Sequence, residues 1–428
     1  MKRKKYRILL IFALFVSIAS PIAPVNASAA DSAAPAEGKG SVSAKAATAN
    51  TNSVRSGDFV YSITRGRATI TVYNGKEENL SIPDSIDGYP VAGIGPAAFL
   101  LCGALTTVTI PPGVTSIGAQ AFDSCINLRS VDIPDGVAGI GERAFAGCVS
   151  LTSITIPESA ATVGKLTFLE CAGLREAVIL NRSVSGGMFA NCTSLSSVSF
   201  GDNVISVGGE SFFNCKSLAT LNFPESVAII GDGAFFGCTG LSDVIFHSPN
   251  TDFEGDIGNY HKNDTTVPTF SETGNLFTIY AFEGSLAYKY AMENEMEFVP
   301  LASVEVDGLR LKFDVPPIIV DDRTLVPMRA IFEALGARVD WDDETRTVTA
   351  SASGKTIVMR IGDAQMTVDG AAVDLDVPPM ILFDRTLVPV RAVSESFGAT
   401  VDWDEATYNV IISYADIISY TDLTPSVE

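Results

Sequence analysis

The sequence predicts an α+β protein in two parts: a solenoid of short parallel strands, then a small duplicated α+β domain. Three observations predict it. One block recurs seven times between Phe99 and Phe246, at a step of 23 residues broken once by a step of 21. An unrelated block recurs once beyond Pro300, at an offset of 62. With 428 residues the chain is also too long for one ordinary core.

In chain order, residues 1–29 read as a secretory leader. Lys2, Arg3, Lys4, Lys5 and Arg7 precede the apolar run from Ile8 to Ile18. Val25-Asn26-Ala27 and Ala27-Ser28-Ala29 then offer two small-x-small cleavage points, after Ala27 or Ala29. The apolar run is short for a membrane span, and no other stretch fits one, so the mature chain is expected outside the cell without an anchor. The formal charge is −21, and removing a leader with five positive charges and no acids takes it to −26. Such a charge excludes nucleic acid and anionic membranes as main partners, since both attract basic surfaces. Residues 30–56 are Ala, Ser, Thr, Asn and Gly with few large apolar side chains, the composition of a disordered linker.

Residues 57–300 hold the repeats. Each copy reads Phe, then Cys three residues on, then Leu three further on, with the cysteines at Cys102, Cys125, Cys148, Cys171, Cys192, Cys215 and Cys238. A period in this range marks stacked coils that bury their apolar faces against their neighbours. After each Leu comes Val-x-Ile or a close variant, often closed by Pro, as in Leu105 to Pro111 and Leu128 to Pro134. The alternation marks a short strand with one face inward, and proline ends it because it cannot donate to a ladder. A second apolar pair follows, ending in glycine (Ile117-Gly118, Ile140-Gly141), which is expected to allow a sharp corner. The copy through Ile179-Leu180-Asn181 lacks the proline and is two residues shorter, so a tighter or kinked coil is expected there. Because each cysteine holds the same place beside Phe and Leu, the seven are expected to line the interior as free thiols. An odd count leaves at least one unpaired in any case.

The run Ala-Phe-x-x-Cys-x-x-Leu-x-x-Val-x-Ile-Pro resembles the BspA-type leucine-rich repeat of bacterial surface proteins. The resemblance covers roughly Asp58 to Pro300 and implies a leucine-rich repeat solenoid with short parallel strands and end caps. Phe59 to Ala98 resembles the family's usual first unit. Ile279-Tyr280 and Gly284 to Ala291 read as a last strand and a closing helix that covers the open end.

Side chains alternating with the inward Val and Ile point outward and form the candidate binding face. They are Thr107, Thr109, Ser130, Asp132, Ser153, Thr155, Glu176, Ser197, Ser199, Thr220, Asn222 and Asp243, with Val178 and Ile245 in the same rows. The row is small, polar and mildly acidic, without the aromatic and arginine anchors of tight interfaces. Between His247 and Asn275 the repeat is lost. His247, Asp252, Glu254, Asp256, His261 and Asp264 fall there without a calcium-loop spacing, so a solvated insertion is expected and no metal.

Residues 301–414 carry the second duplication. Asp314-Val315-Pro316-Pro317 recurs as Asp376 to Pro379, Arg323 to Pro327 as Arg385 to Pro389, and Val339-Asp340-Trp341-Asp342 as Val401 to Asp404. Each copy reads as a strand, a Gly turn, a helix opening at proline and stopping near Gly336 or its counterpart, then a hairpin, which makes a small α+β unit. This pattern resembles the copper amine oxidase N-terminal-like (stalk) domain of secreted Gram-positive proteins. The resemblance implies no amine oxidation. The chain has only His247 and His261, both outside the pair, whereas the catalytic domain of that enzyme needs three histidine ligands and a quinone. Arg323, Arg329, Arg385 and Arg391 flank the helix starts and are expected to pair with Asp inside the fold. Residues 415–428 read as a tail without a sorting motif.

No nucleophile–base order, metal cluster or phosphate loop emerges, so no catalytic residue and no cofactor is expected. The reading is a secreted or cell-surface, non-enzymatic protein that uses the solenoid for recognition or adhesion. Its partner would be a protein or a cell-envelope polymer, and the C-terminal pair a spacer or anchor. The alternatives are a passive envelope or matrix component and a carboxylate-dependent hydrolase.

Overall fold

The computed structural model describes residues 53–253, 277–293 and 296–414. The leader, the linker up to Asn52, residues 254–276 and the tail lie outside the described residues, and with them Glu254, Asp256, His261 and Asp264.

The repeats form a parallel β-solenoid. On one side Asn79–Ser81, Thr107–Thr109 and Ser130–Asp132 pair in register. Ser153–Ile156, Glu176–Ile179 and Ser197–Phe200 follow, then Thr220–Phe223, Asp243–Phe246, Thr278–Ala281 and Glu297–Pro300. A second ladder of two-residue strands runs beside it, from Ser116–Ile117 through Gly139–Ile140 to Thr162–Val163. The third side is turns in which each Phe N–H donates to a carbonyl of the next coil, as from Phe122 to Ala144 at 2.7 Å.

Seven phenylalanines, from Phe99 to Phe235, stack as one buried column with ring centroids 4.8–5.5 Å apart and planes within 13°. The spacing follows from the strand separation of about 4.8 Å, which sets the rise of one coil. Beside the column stand the thiols, all free, six buried and Cys102 partly exposed. They act as more than small hydrophobes. Each Sγ from Cys125 to Cys238 donates to a Phe carbonyl of the preceding coil, at 3.1–3.2 Å. Burial pushes their pKa values up, to about 12 for Cys125 and Cys238.

The glycine expectation needs correction. Gly118, Gly141, Gly164, Gly208 and Gly231 do not adopt left-handed backbone; a Cβ at each would come within 3.0 Å of the preceding coil's backbone. They allow close approach of coils. The left-handed turns fall two residues later, at Gln120, Arg143 and Glu210, with φ of 56–57°. The short copy also behaves differently from a kinked coil. Phe168 and Phe189 stay stacked at 5.4 Å and 7°. The missing residues come from the corner, where buried Asn181 donates from Nδ2 to the Ser183 carbonyl at 2.8 Å. At this copy the second ladder breaks, with one sheet ending at Thr162–Val163 and the next starting at Ser183–Val184, while the first ladder runs on from Glu176–Ile179 to Ser197–Phe200. The first ladder has its own breaks after Ser130–Asp132 and after Ser197–Phe200.

Both ends are closed. Ser53–Ser56 pairs antiparallel with Phe59–Thr64, which pairs with Arg67–Tyr73. The expected linker therefore runs four residues too far: Gly57, at φ 56°, and Asp58 make a two-residue hairpin turn. At the far end the helix Leu286–Glu293 buries Ala287, Tyr290 and Ala291, and Tyr288 meets Phe298 edge-on at 5.0 Å.

The C-terminal copies are not two separate units. Their strands interlace. Arg323–Pro327 pairs antiparallel with Arg385–Pro389, with Val326 opposite Val388 at the local centre. Ser303–Val306 of the first copy pairs with Asn409–Ser413 of the second. Thr347–Ala352 reaches the second copy's Gln365–Val368 through the extra strand Lys355–Arg360. One core, including Phe332, Val348, Phe397 and Ile412, serves both.

Candidate functional site

The candidate face is set by register. Parallel pairing places Thr107 beside Ser130, Ser153 beside Glu176 and Ser197, and Thr220 beside Asp243. Thr109 and Asp132 form a second row with Thr155, Val178 and Ser199, which Asn222, Ile245 and Tyr280 continue. Inward residues such as Val108, Ile154, Ala177 and Leu221 are buried, so the alternation follows from the apolar core. Thr109, Ser130, Asp132, Ser153, Thr155, Glu176, Ser197, Ser199 and Asn222 are exposed; Thr107, Thr220 and Asp243 are half-buried.

The two ends of this face differ from the sequence expectation. Asn79–Ser81 adds a strand at the first end, and Asn79 Oδ1 accepts from the Thr107 hydroxyl at 2.7 Å. Leu80-Ser81-Ile82-Pro83 carries the apolar-x-Ile-Pro ending of later coils, such as Val108-Thr109-Ile110-Pro111, a signal that identifies it. At the other end the outward Ile245 is buried at 2% exposure. It packs with Tyr280, Leu301, Val315, Ile318, Leu325, Val377 and Leu387, so the C-terminal pair covers the last coils. Tyr280 meets Phe383 edge-on at 5.3 Å. Burial, and then the negative charge of the nearby Asp243 carboxylate, raise the Tyr280 pKa. Asn222 donates to the Asp314 carbonyl at 3.4 Å and bonds His247 Nε2 at 2.9 Å. Burial lowers the His247 pKa against the opposing pull of Glu225. The pair thus covers Ile245 and contacts Asn222 at its edge, because the second row turns apolar at Ile245, Tyr280 and Val299.

What remains is a strip of five coils, from Thr107 to Ser199. At about 4.8 Å per coil and 3.3 Å per residue it measures roughly 20 by 12 Å. Its chemistry is hydroxyl donors and acceptors with two carboxylates, Asp132 and Glu176. Among the described residues no group of three or more His, Cys, Asp or Glu is placed to hold a metal ion. No described helix is long and apolar enough to cross a membrane.

The expected Arg–Asp pairing is present, but it runs between copies. Arg323 Nε meets Asp376 Oδ2, and Arg385 Nε meets Asp314 Oδ2, both at 2.6 Å. Arg391 instead binds the Val401 carbonyl at 2.6 Å and Glu395 at 3.2 Å.

Comparison with known proteins agrees with this architecture. The family model described as BspA type leucine rich repeat region matches in six copies, over residues 92–187 and 180–289. The one described as copper amine oxidase N-terminal domain matches residues 305–412. No curated protein matches the chain. Among solved structures, a leucine rich cell surface protein from Faecalibacterium prausnitzii is 34% identical, over 45% of this chain and 54% of that one, with a TM-score of 0.42. This chain thus spans about half the length of that relative. The T. pallidum leucine rich repeat protein is 30% identical over 47% of this chain and 83% of its own, with a TM-score of 0.35. A leucine-rich repeat protein from Bacteroides capillosus is 32% identical over 30% and 98%, with a TM-score of 0.28.

Proposed function

Because the chain belongs to the BspA-type leucine-rich repeat proteins, here with a copper amine oxidase N-terminal domain at its C-terminal end, we propose that it is an exported, non-enzymatic recognition protein of the bacterial surface. The observation that carries this reading is the outward hydroxyl strip from Thr107 to Ser199, paired in register within two successive sheets, on a solenoid whose coils stack their phenylalanines in one column. Its area, on the order of 240 Å², is well below the roughly 800 Å² per partner of a standard protein interface. An elongated partner that follows the ladder, either an extended protein segment or an envelope polymer, suits it better than a globular surface. Residues 1–29 would export the chain. The C-terminal pair would fix where the recognition strip ends.

The experiment uses the full chain with Ser153→Arg and Ser197→Arg. Both positions are exposed, so the fold should persist while the strip is blocked. Binding to envelope preparations, host matrix proteins and whole cells should fall at least tenfold. Unchanged binding would move recognition elsewhere, and no binding by the parent chain would favour a passive envelope component.

A further inference from the structure

The interlaced copies build two matching clefts. One, of about 610 Å³, brings Trp403, Arg391 and Glu395 of the second copy together with Arg323 of the first. The other, of about 720 Å³, brings Trp341, Arg329 and Glu333 of the first copy together with Arg385 of the second. Each residue maps onto its counterpart at the offset of 62. Each cleft also contains one of the inter-copy ion pairs, Arg323–Asp376 or Arg385–Asp314, so neither exists in a single copy.

These two indoles are the only tryptophans in the chain. Both are left 37–38% exposed, although the fold offers an apolar core nearby. Beside Trp403, Arg391 is held in place by the Val401 carbonyl and Glu395, so its guanidinium is oriented in advance.

We propose that the two clefts are quasi-equivalent binding sites for neutral saccharide units. An indole offers a flat apolar surface to the C–H face of a sugar ring, while carboxylates and guanidinium groups at its edge accept from and donate to hydroxyls. The charge balance selects against acidic polymers. The Trp403 cleft is lined by five carboxylates against two arginines, and the Trp341 cleft by four against three basic groups. Two sites on one rigid body would bind a repeating glycan with avidity. This assignment is independent of the solenoid strip, and either can fail alone.

The test is tryptophan emission of the full chain, titrated with maltohexaose, cellohexaose and chitohexaose, with calorimetry for stoichiometry. Because both tryptophans lie in the clefts, their emission reports on these sites. At least one sugar should give a saturable change with two sites per chain. Trp341→Phe and Trp403→Phe keep a packing ring and should each leave one responding site. Glu395→Gln should weaken the Trp403 cleft about tenfold and spare the other, by loss of a charged hydrogen-bond acceptor. The assignment is overturned by unchanged emission with all three sugars, by a response to polyphosphate instead, or by full calorimetric binding in the double Trp→Phe variant.

Discussion

Raising the pH above about 9 should unfold the solenoid through its own thiols. Cys125, Cys148, Cys171, Cys192, Cys215 and Cys238 are buried in an apolar interior that disfavours the thiolate, and their pKa values stand well above the ordinary value. Unfolded, the same thiols ionise near about 8.5. Between those values the native state keeps protons that the unfolded chain gives up. Stability is therefore intact below the unfolded pKa and is lost as pH climbs from there toward the folded value. Each such thiol withdraws about 1.4 kcal/mol per pH unit in that window, so six withdraw on the order of 8 kcal/mol per unit. One unit thus removes as much as the whole stability of an ordinary domain, about 5–15 kcal/mol. The assay is the urea midpoint by far-UV circular dichroism, from about pH 7 to about pH 10. Replacing Cys148 and Cys171 together by Ala removes two of the six protons and should flatten the slope by a third. A flat midpoint across the window, or an unaltered slope in the double variant, would refute the account.

Four further outcomes follow from the same packing. Phe168→Ala removes a fully buried ring stacked at 5.4 Å on both sides, and should cost about 3–5 kcal/mol by chemical denaturation; a loss below about 1 kcal/mol would mean the column carries little of the stability. Under native conditions a thiol reagent should modify the partly exposed Cys102 first, and the other six only after opening, which mass spectrometry counts. Ile245→Asp puts a carboxylate into the apolar contact between the last coils and the C-terminal pair; it should release the pair, seen as a larger radius in small-angle scattering and faster proteolysis near Pro300. Arg385→Ala, by contrast, breaks a half-exposed ion pair and should change stability by less than about 1 kcal/mol.

The solenoid was legible because its period is fixed and its apolar residues recur at fixed places. Phe99 to Phe235, the cysteines and the inward Val and Ile all stand where the spacing puts them. Three kinds of feature were hidden. The thiol-to-carbonyl bonds join residues about 24 to 26 positions apart, and nothing in a residue's own block announces its partner. The left-handed turns fall on Gln120, Arg143, Leu166 and Glu210, residue types that do not mark such a turn, and on glycine only at Gly187 and Gly233, while the earlier glycines drew attention for the wrong reason. Interlacing of the C-terminal copies depends on which hairpin pairs with which, and a repeat at an offset of 62 is equally compatible with two separate units. The end of the proposed strip was hidden for a related reason. Ile245 and Tyr280 alternate correctly as outward residues, and only the docked pair makes their apolar character useful.

That docking changes what the C-terminal pair can be. A parallel ladder ends in an unpaired edge, and the strand Glu297–Pro300 would present it to other chains. The chain continues directly from that strand into a bridge between Leu301 and Ile318, and the apolar cluster from Ile245 to Leu387 seals the corner. The first end is closed by the antiparallel strands Ser53–Ser56 and Phe59–Thr64. A spacer needs few contacts with what it spaces, whereas this pair shares a core with the solenoid and supplies part of its cap. Burial, and then the neighbouring Glu283 carboxylate, raise the Tyr408 pKa to about 12, so the second copy lies against the coil end as well. Recognition by the strip and binding in the clefts would therefore occur on one rigid body, and a ligand held by one would meet the other at a fixed distance.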